Sequence, residues 1–206
     1  MLTDRDIAIL KFINQFGFCV MPHLNERFGL RKSYNYELIG RLIDKGLVIH
    51  EEGFRKQGGV YRLTKKGASF TELPPLKNVP WGIFRHEVLL VHLHFKLMEK
   101  YPDAIWFSER ELNYDHTFDG IGKRGHLPDG LLEFKDGKKV LIELELSRKG
   151  ERRLKKILDH YALQLGIEDE AWYVCDDEVI PLLTKATINK PFIKVLRLQD
   201  ILDAQP

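Results

Sequence analysis

The sequence predicts a protein of mixed α and β structure, α+β in its first part and α/β in its second, and three observations carry that reading. Before residue 70 the chain shows helical apolar periodicity three times and then two short β segments. A proline-rich run, TELPPLKNVP, interrupts the pattern from Thr71 to Pro80. After it, helical and extended segments alternate, as a mixed sheet with covering helices requires.

Thr3 is placed to cap a first helix, with Asp6 three residues on to complete a capping box. Ile7, Ile9, Leu10, Ile13 and Phe16 supply its apolar stripe, and Gly17 stops it. A second helix starts near Pro22 and ends at Phe28-Gly29. A third runs from about Ser33 to Lys45, with Leu38, Leu42 and Ile43 facing inward and Gly46 as terminator. Two β segments follow, Leu47–His50 and Gly59–Leu63, joined by the polar turn EEGFRKQG, and a short helix at Thr64–Phe70 closes the unit.

Pro74, Pro75 and Pro80 can neither continue a helix nor sit inside a sheet, so the expected division is 1–72, a linker at 73–80, and 81–206. In the last part Trp81–Lys100 reads as a helix and Ala104–Phe107 as a strand. Two strands, Asp129–Phe134 and Lys139–Leu146, flank the Asp136-Gly137 hairpin signal. A helix at Arg148–Leu165, a strand at Ala171–Cys175, a helix at Glu178–Lys185 and a strand at Phe192–Leu196 complete a small domain with a mixed sheet.

Composition excludes several classes. The chain of 206 residues is 44% apolar and 30% charged, ordinary values for a globular protein. No apolar run approaches the roughly 20 residues of a membrane helix, and MLTDRDIAIL has no basic region leading into an apolar stretch, so no secretory signal is visible. Cys19 and Cys175, both in apolar surroundings, read as buried thiols of a cytoplasmic protein. The net charge of +2 hides an asymmetry: residues 1–80 carry 13 Lys+Arg against 8 Asp+Glu, and the rest carry 19 against 22. A basic first part points to a polyanionic partner.

Three helices followed by a two-stranded ribbon is the element order of a winged helix-turn-helix, whose third helix enters the major groove of double-stranded DNA. Its early and outward positions are Arg31, Lys32, Ser33, Tyr34, Asn35, Tyr36 and Arg41, side chains that reach base edges or phosphates. The turn between the β segments offers Arg55, Lys56 and Gln57 to the backbone or minor groove. LIDKGLVIHEEG and GGVYRLTKKG closely resemble winged-helix regulators, through Leu42, Gly46, Leu47, Tyr61, Leu63, Thr64 and Gly67, over about a third of the chain.

In the last part, alternation along Lys139–Leu146 puts Glu143 and Glu145 on one face with Leu141. With Asp129 at the matching point of the partner strand, three carboxylates converge, an oxygen-rich set suited to Mg²⁺ or Mn²⁺. An exposed strand face is the alternative reading of the two glutamates. The pattern resembles the PD-(D/E)xK nuclease superfamily: Pro128-Asp129 matches its first acid and Glu143 its second, so the resemblance implies metal held by Asp129 and Glu143, with Glu87 a further acid on the preceding helix. The departure is Glu145, which stands where that superfamily has lysine. Lys155 or Lys156 on the following helix is the substitute the sequence offers.

A resemblance covering both halves is to the replication-relaxation family of bacterial plasmids and mobile elements. Arg85-His86, Pro128 to Phe134, Glu143 to Arg148, and the basic helix RRLKKILDHY ending at Tyr161 carry it. It implies a DNA-binding protein acting in replication, relaxation or mobilisation, or their transcriptional control, alongside replication or mobilisation proteins. The leading expectation is therefore DNA binding with a nuclease-like second domain that does not cleave and needs no cofactor. The rival is a metal-dependent endonuclease or nickase using Asp129, Glu143 and Glu145 with Mg²⁺ or Mn²⁺. A homodimer is expected from the apolar richness of VLLVHLHF.

Overall fold

The computed structural model describes residues 1–30, 32–53, 59–114, 126–166 and 169–204, and is silent on the side chains of residues 32, 33, 151 and 164. The chain forms two compact units, Met1–Val91 and His92–Pro206. Among the described residues no helix is long and apolar enough to cross a membrane.

The first unit follows the sequence closely. Helix α1 (Asp4–Phe16) has the expected capping box: the Thr3 hydroxyl accepts from the Asp6 N–H while the Asp6 carboxylate accepts from the Thr3 N–H. Gly17, at φ 81°, ends it. Strand β1 (Phe18–Val20), helix α2 (Met21–Phe28), helix α3 (Lys32–Asp44), strands β2 (Val48–Glu51) and β3 (Val60–Leu63), and the short helix α4 (Lys65–Ala68) follow. β1 was not legible in the sequence. It pairs antiparallel with β3, which also pairs antiparallel with β2, so the spatial order is β1-β3-β2. Ile9, Leu10, Ile13, Leu24, Leu38, Ile39, Leu42, Leu47 and Leu63 are buried between helices and sheet. Ile39, rather than the expected Ile43, completes the inner face of α3.

Gly67 explains its own identity. A Cβ there would lie 2.0 Å from the Leu47 carbonyl oxygen, which also accepts from the Thr64 N–H at 3.0 Å. The segment expected to be a linker packs onto this unit: Val79 is buried with Phe18, Val20 and Val60, and Leu76, Trp81, Phe84 and Val88 lie against them. The contact-based division falls at residue 91, beyond the 73–80 boundary read from the prolines.

The second unit is built on a five-stranded mixed sheet in the order β4-β5-β6-β7-β8. Helix α5 (Phe84–Lys100) runs across the division between units. Strand β4 (Ile105–Ser108), helix α6 (Glu109–Tyr114), strands β5 (Gly130–Glu133) and β6 (Lys139–Glu145), helix α7 (Glu151–Gln164), strand β7 (Glu170–Cys175), helix α8 (Ile180–Thr187), strand β8 (Ile193–Arg197) and helix α9 (Leu198–Leu202) follow. β5 runs antiparallel to both of its neighbours, β4 and β6, and β6, β7 and β8 are parallel, with α7 and α8 as crossovers. One face, from Leu131, Leu141, Ala171, Tyr173 and Cys175, packs against Leu154, Ile157, Leu158 and Tyr161 of α7 and Leu183 of α8. On the other, His94 meets Trp106 at 5.1 Å and Tyr101 meets Trp172 at 5.8 Å between ring centroids. Both cysteines are free and buried. Within VLLVHLHF, Leu90, Val91 and Leu93 are buried, and Val88, Leu89 and Phe95 are partly buried.

Candidate functional site

Two sites were expected. In the first unit, α2 ends on Gly29 in the left-handed conformation, and α3 begins at Lys32 and packs on α2. Tyr34 and Tyr36 project from the early turns of α3 and are exposed, at 46% and 63%. The Arg5 guanidinium lies over the Tyr34 ring, 5.5 Å from its centroid. Lys32 and Ser33 lie in the first turn of the same helix. Arg31, Arg55, Lys56 and Gln57 fall outside the described residues.

Two positions on α3 have partners within the unit. Asn35 is buried and donates to the Asn25 side chain at 2.6 Å, so it ties α3 to α2 instead of facing outward. Arg41 is committed to Asp6, its guanidinium nitrogen 2.5 Å from Oδ1 of a carboxylate with no exposed surface. Burial pushes the Asp6 carboxyl up, but the Thr3 backbone and hydroxyl and the Arg41 charge outweigh it, and the net shift is downward. Arg41 thus pins the end of α3 to the start of α1.

In the second unit, the hairpin register places the acids. Gly130 pairs with Ile142, so Asp129, one step before β5, stands opposite Glu143 on β6. The Asp129 carboxylate accepts from the Leu144 N–H at 2.7 Å. Glu143 and Glu145 are 2% and 5% exposed, which overturns the exposed-face reading. They lie under α7, because alternation puts them on the face of Leu141.

Each buried glutamate has a protein partner. His126 Nε2 lies 2.9 Å from Glu143 Oε1, and Tyr161, wholly buried, donates its hydroxyl to the same oxygen. Lys149 Nζ lies 2.5 Å from Glu145 Oε2. The His126 and Lys149 contacts are charge pairs rather than aligned hydrogen bonds. The Tyr173 hydroxyl is buried beside these groups, with no hydrogen-bond partner among the described residues. The electrostatics follow from crowding. The Glu143 carboxylate holds the His126 imidazole above its ordinary value against the opposing effect of burial. Burial, with the nearby Asp129 charge, raises Glu143 although His126 and Tyr161 oppose it. Burial and then the Glu143 charge push the Tyr161 phenol up.

Lys155 and Lys156 are on the exposed face of α7, opposite its buried Leu154, Ile157 and Leu158. Glu87 belongs to the first unit, where its carboxylate meets His86 Nδ1 at 3.2 Å. Among the described residues no group of three or more His, Cys, Asp or Glu is arranged to hold a metal ion. Lys149 was missed. The signal was its position four residues after Glu145, nearer than either lysine favoured from the sequence.

No family model matches the chain, and no curated protein matches it. The chain is similar to the crystal structure of protein VC1899 from Vibrio cholerae, at 12% identity and a TM-score of 0.38. The alignment covers 97% of this chain and 48% of that one, so the chain spans about half the length of the protein it matches.

Proposed function

We propose that this chain is a DNA-binding protein whose first unit is a winged helix-turn-helix. Its second unit is a PD-(D/E)xK-like platform that does not cleave. The observation that carries this reading is the order α1-β1-α2-α3-β2-β3 with strand pairing β1-β3-β2, which leaves the early turns of α3, with Tyr34 and Tyr36, on solvent. An α3 presented in this way suits insertion into a major groove, and a β2–β3 ribbon suits a backbone or minor-groove contact. Charge supports it, since the basic excess of the chain lies in residues 1–80. The resemblance to replication-relaxation proteins supports a role in replication, mobilisation or transcriptional control of a plasmid or other mobile element. Its partners there would be double-stranded DNA and replication or mobilisation proteins.

The inactive second unit rests on chemistry. Phosphodiester cleavage of this type needs a divalent ion and a cation or base that orients water. Glu145 stands at the lysine position, Lys155 and Lys156 lie on the exposed face of α7, and Lys149, the cation beside the acids, is held by Glu145. Selection of duplexes from a random-sequence pool with the full chain tests the reading: it predicts an enriched motif and no nicking of plasmid in Mg²⁺ or Mn²⁺. Failure to enrich any duplex would refute DNA recognition. Nicking abolished by both D129A and E143A would establish the endonuclease instead.

A further inference from the structure

The carboxylates under α7 form the kind of set that holds a divalent cation, and the resemblance to nucleases implies one. The donor set found here does not fit it. Asp129 Oδ2 accepts from the Leu144 N–H and Glu143 Oε1 from the Tyr161 hydroxyl, while His126 Nε2 lies 2.9 Å from Glu143 Oε1 and Lys149 Nζ 2.5 Å from Glu145 Oε2, where a metal ion would sit. A hard cation needs such oxygens directed at one point with their lone pairs available. Three acids so close in a low-dielectric interior still require positive charge, because two of them are at least 95% buried.

We infer that His126 and Lys149 are resident cations that replace a metal in this centre, and that they keep it closed to divalent ions. The inference rests on the nuclease-like reading of the second unit and gives it a mechanism. The geometry is matched one to one: His126 serves Glu143, and Lys149 serves Glu145. Lys149 leaves the strand just after β6 and folds back onto it, its side chain only 19% exposed. His126 reaches in from the residues before β5 with 31% of its side chain exposed. Each brings positive charge to a buried carboxylate that would otherwise lack it, with only the Tyr161 hydroxyl left on Glu143. Such a carboxylate is strongly unfavourable, so the pair is retained.

The test uses the full chain and Mn²⁺ as probe, read by electron paramagnetic resonance of free ion, with thermal unfolding as a second readout. Wild type is expected to take up no stoichiometric Mn²⁺ at neutral pH. H126L/K149M is expected to take up one ion with at least tenfold higher affinity, and adding E143Q should abolish the gain. In parallel, K149M alone should lower the melting temperature, and E145Q/K149M should recover most of the loss. Stoichiometric Mn²⁺ uptake by wild type, undiminished relative to H126L/K149M, would overturn the inference while leaving a nuclease-like centre standing. A folded H126L/K149M that binds no Mn²⁺ would overturn it together with that reading. Should H126L/K149M fail to fold, the cycle between Glu145 and Lys149 decides, and additive melting shifts there would overturn the pairing.

Discussion

Replacing Asp6 with alanine removes two interactions of different kind at the start of α1. The first is the acceptor for the Thr3 N–H, at 2.9 Å, whose loss resembles removal of a helix cap and costs about 1 kcal/mol. The second is the charged contact with Arg41. Its guanidinium is 45% exposed, so solvent screening reduces a charge-assisted bond to about 1 kcal/mol. Together D6A should cost about 2 kcal/mol at pH 7, or roughly 4–8 °C in melting temperature for a chain of this size. R41A should cost about 1 kcal/mol, since it leaves the buried Asp6 carboxylate with Thr3 and the Lys45 charge. The double variant should show coupling of about 1 kcal/mol between the sites. A carboxyl held below its unfolded value contributes stability above that value and loses it as pH falls through the folded one. The gap between wild type and D6A should therefore narrow below about pH 4. Thermal unfolding followed by circular dichroism, beside DNA titration below the transition, reads both quantities. An R41A protein that melts with wild type but loses DNA affinity would refute the anchoring role and return Arg41 to the DNA-contacting set.

Other perturbations follow from the packing. Burial raises Glu170, but Lys138, Lys194 and the Trp172 indole outweigh it and bring the carboxyl from 4.5 to about 2. E170Q should cost about 1–2 kcal/mol at neutral pH after screening by solvent around the lysines, with the difference fading as pH falls from 4.5 toward 2; a pH-independent difference would contradict this. G67A forces a Cβ to 2.0 Å from a backbone oxygen and should destabilise by about 3 kcal/mol, measured by urea unfolding. A chain ended at residue 72 loses buried Val79 and partly buried Leu76, Trp81 and Phe84 from the cluster on Phe18 and Val60, where a fully buried side chain is worth about 1.5–3 kcal/mol and a partly buried one less. That fragment should lack a cooperative melting transition, and a sharp one at the full chain's temperature would show the segment to be dispensable.

What could be read from the sequence divides by range. α1 was legible because Thr3, Asp6 and Gly17 are local signals, and the β5–β6 hairpin because Asp136-Gly137 sets its register, with Gly137 at φ 88°. That register alone brings Asp129 opposite Glu143. β1 escaped because three apolar residues between a helix stop and Pro22 carry no periodicity; only pairing with β3, some forty residues later, makes them a strand. Arg41 and Asp6 are 35 residues apart, so no spacing rule links them. Asn35 looked outward because a polar residue on an amphipathic helix is usually solvated, whereas Asn25 on α2 offers it a buried partner. Helical spacing favours Lys155 and Lys156, yet a lysine just past the strand end, as Lys149 is, can turn back, and those on the outer face of α7 cannot.

The most direct test of the central claim is a salt titration of DNA binding by the full chain. Fluorescence anisotropy with a labelled duplex, repeated between 50 and 200 mM salt, gives the slope of affinity against ionic strength. Recognition through the first unit predicts a fall of at least about tenfold over that range, because neutralised phosphates release counterions. It also predicts that K32A/Y34A/Y36A weakens binding at least about tenfold at an unchanged melting temperature, as loss of exposed groove contacts requires. Binding that is absent at the lowest salt, or that the triple variant leaves intact, would contradict the account.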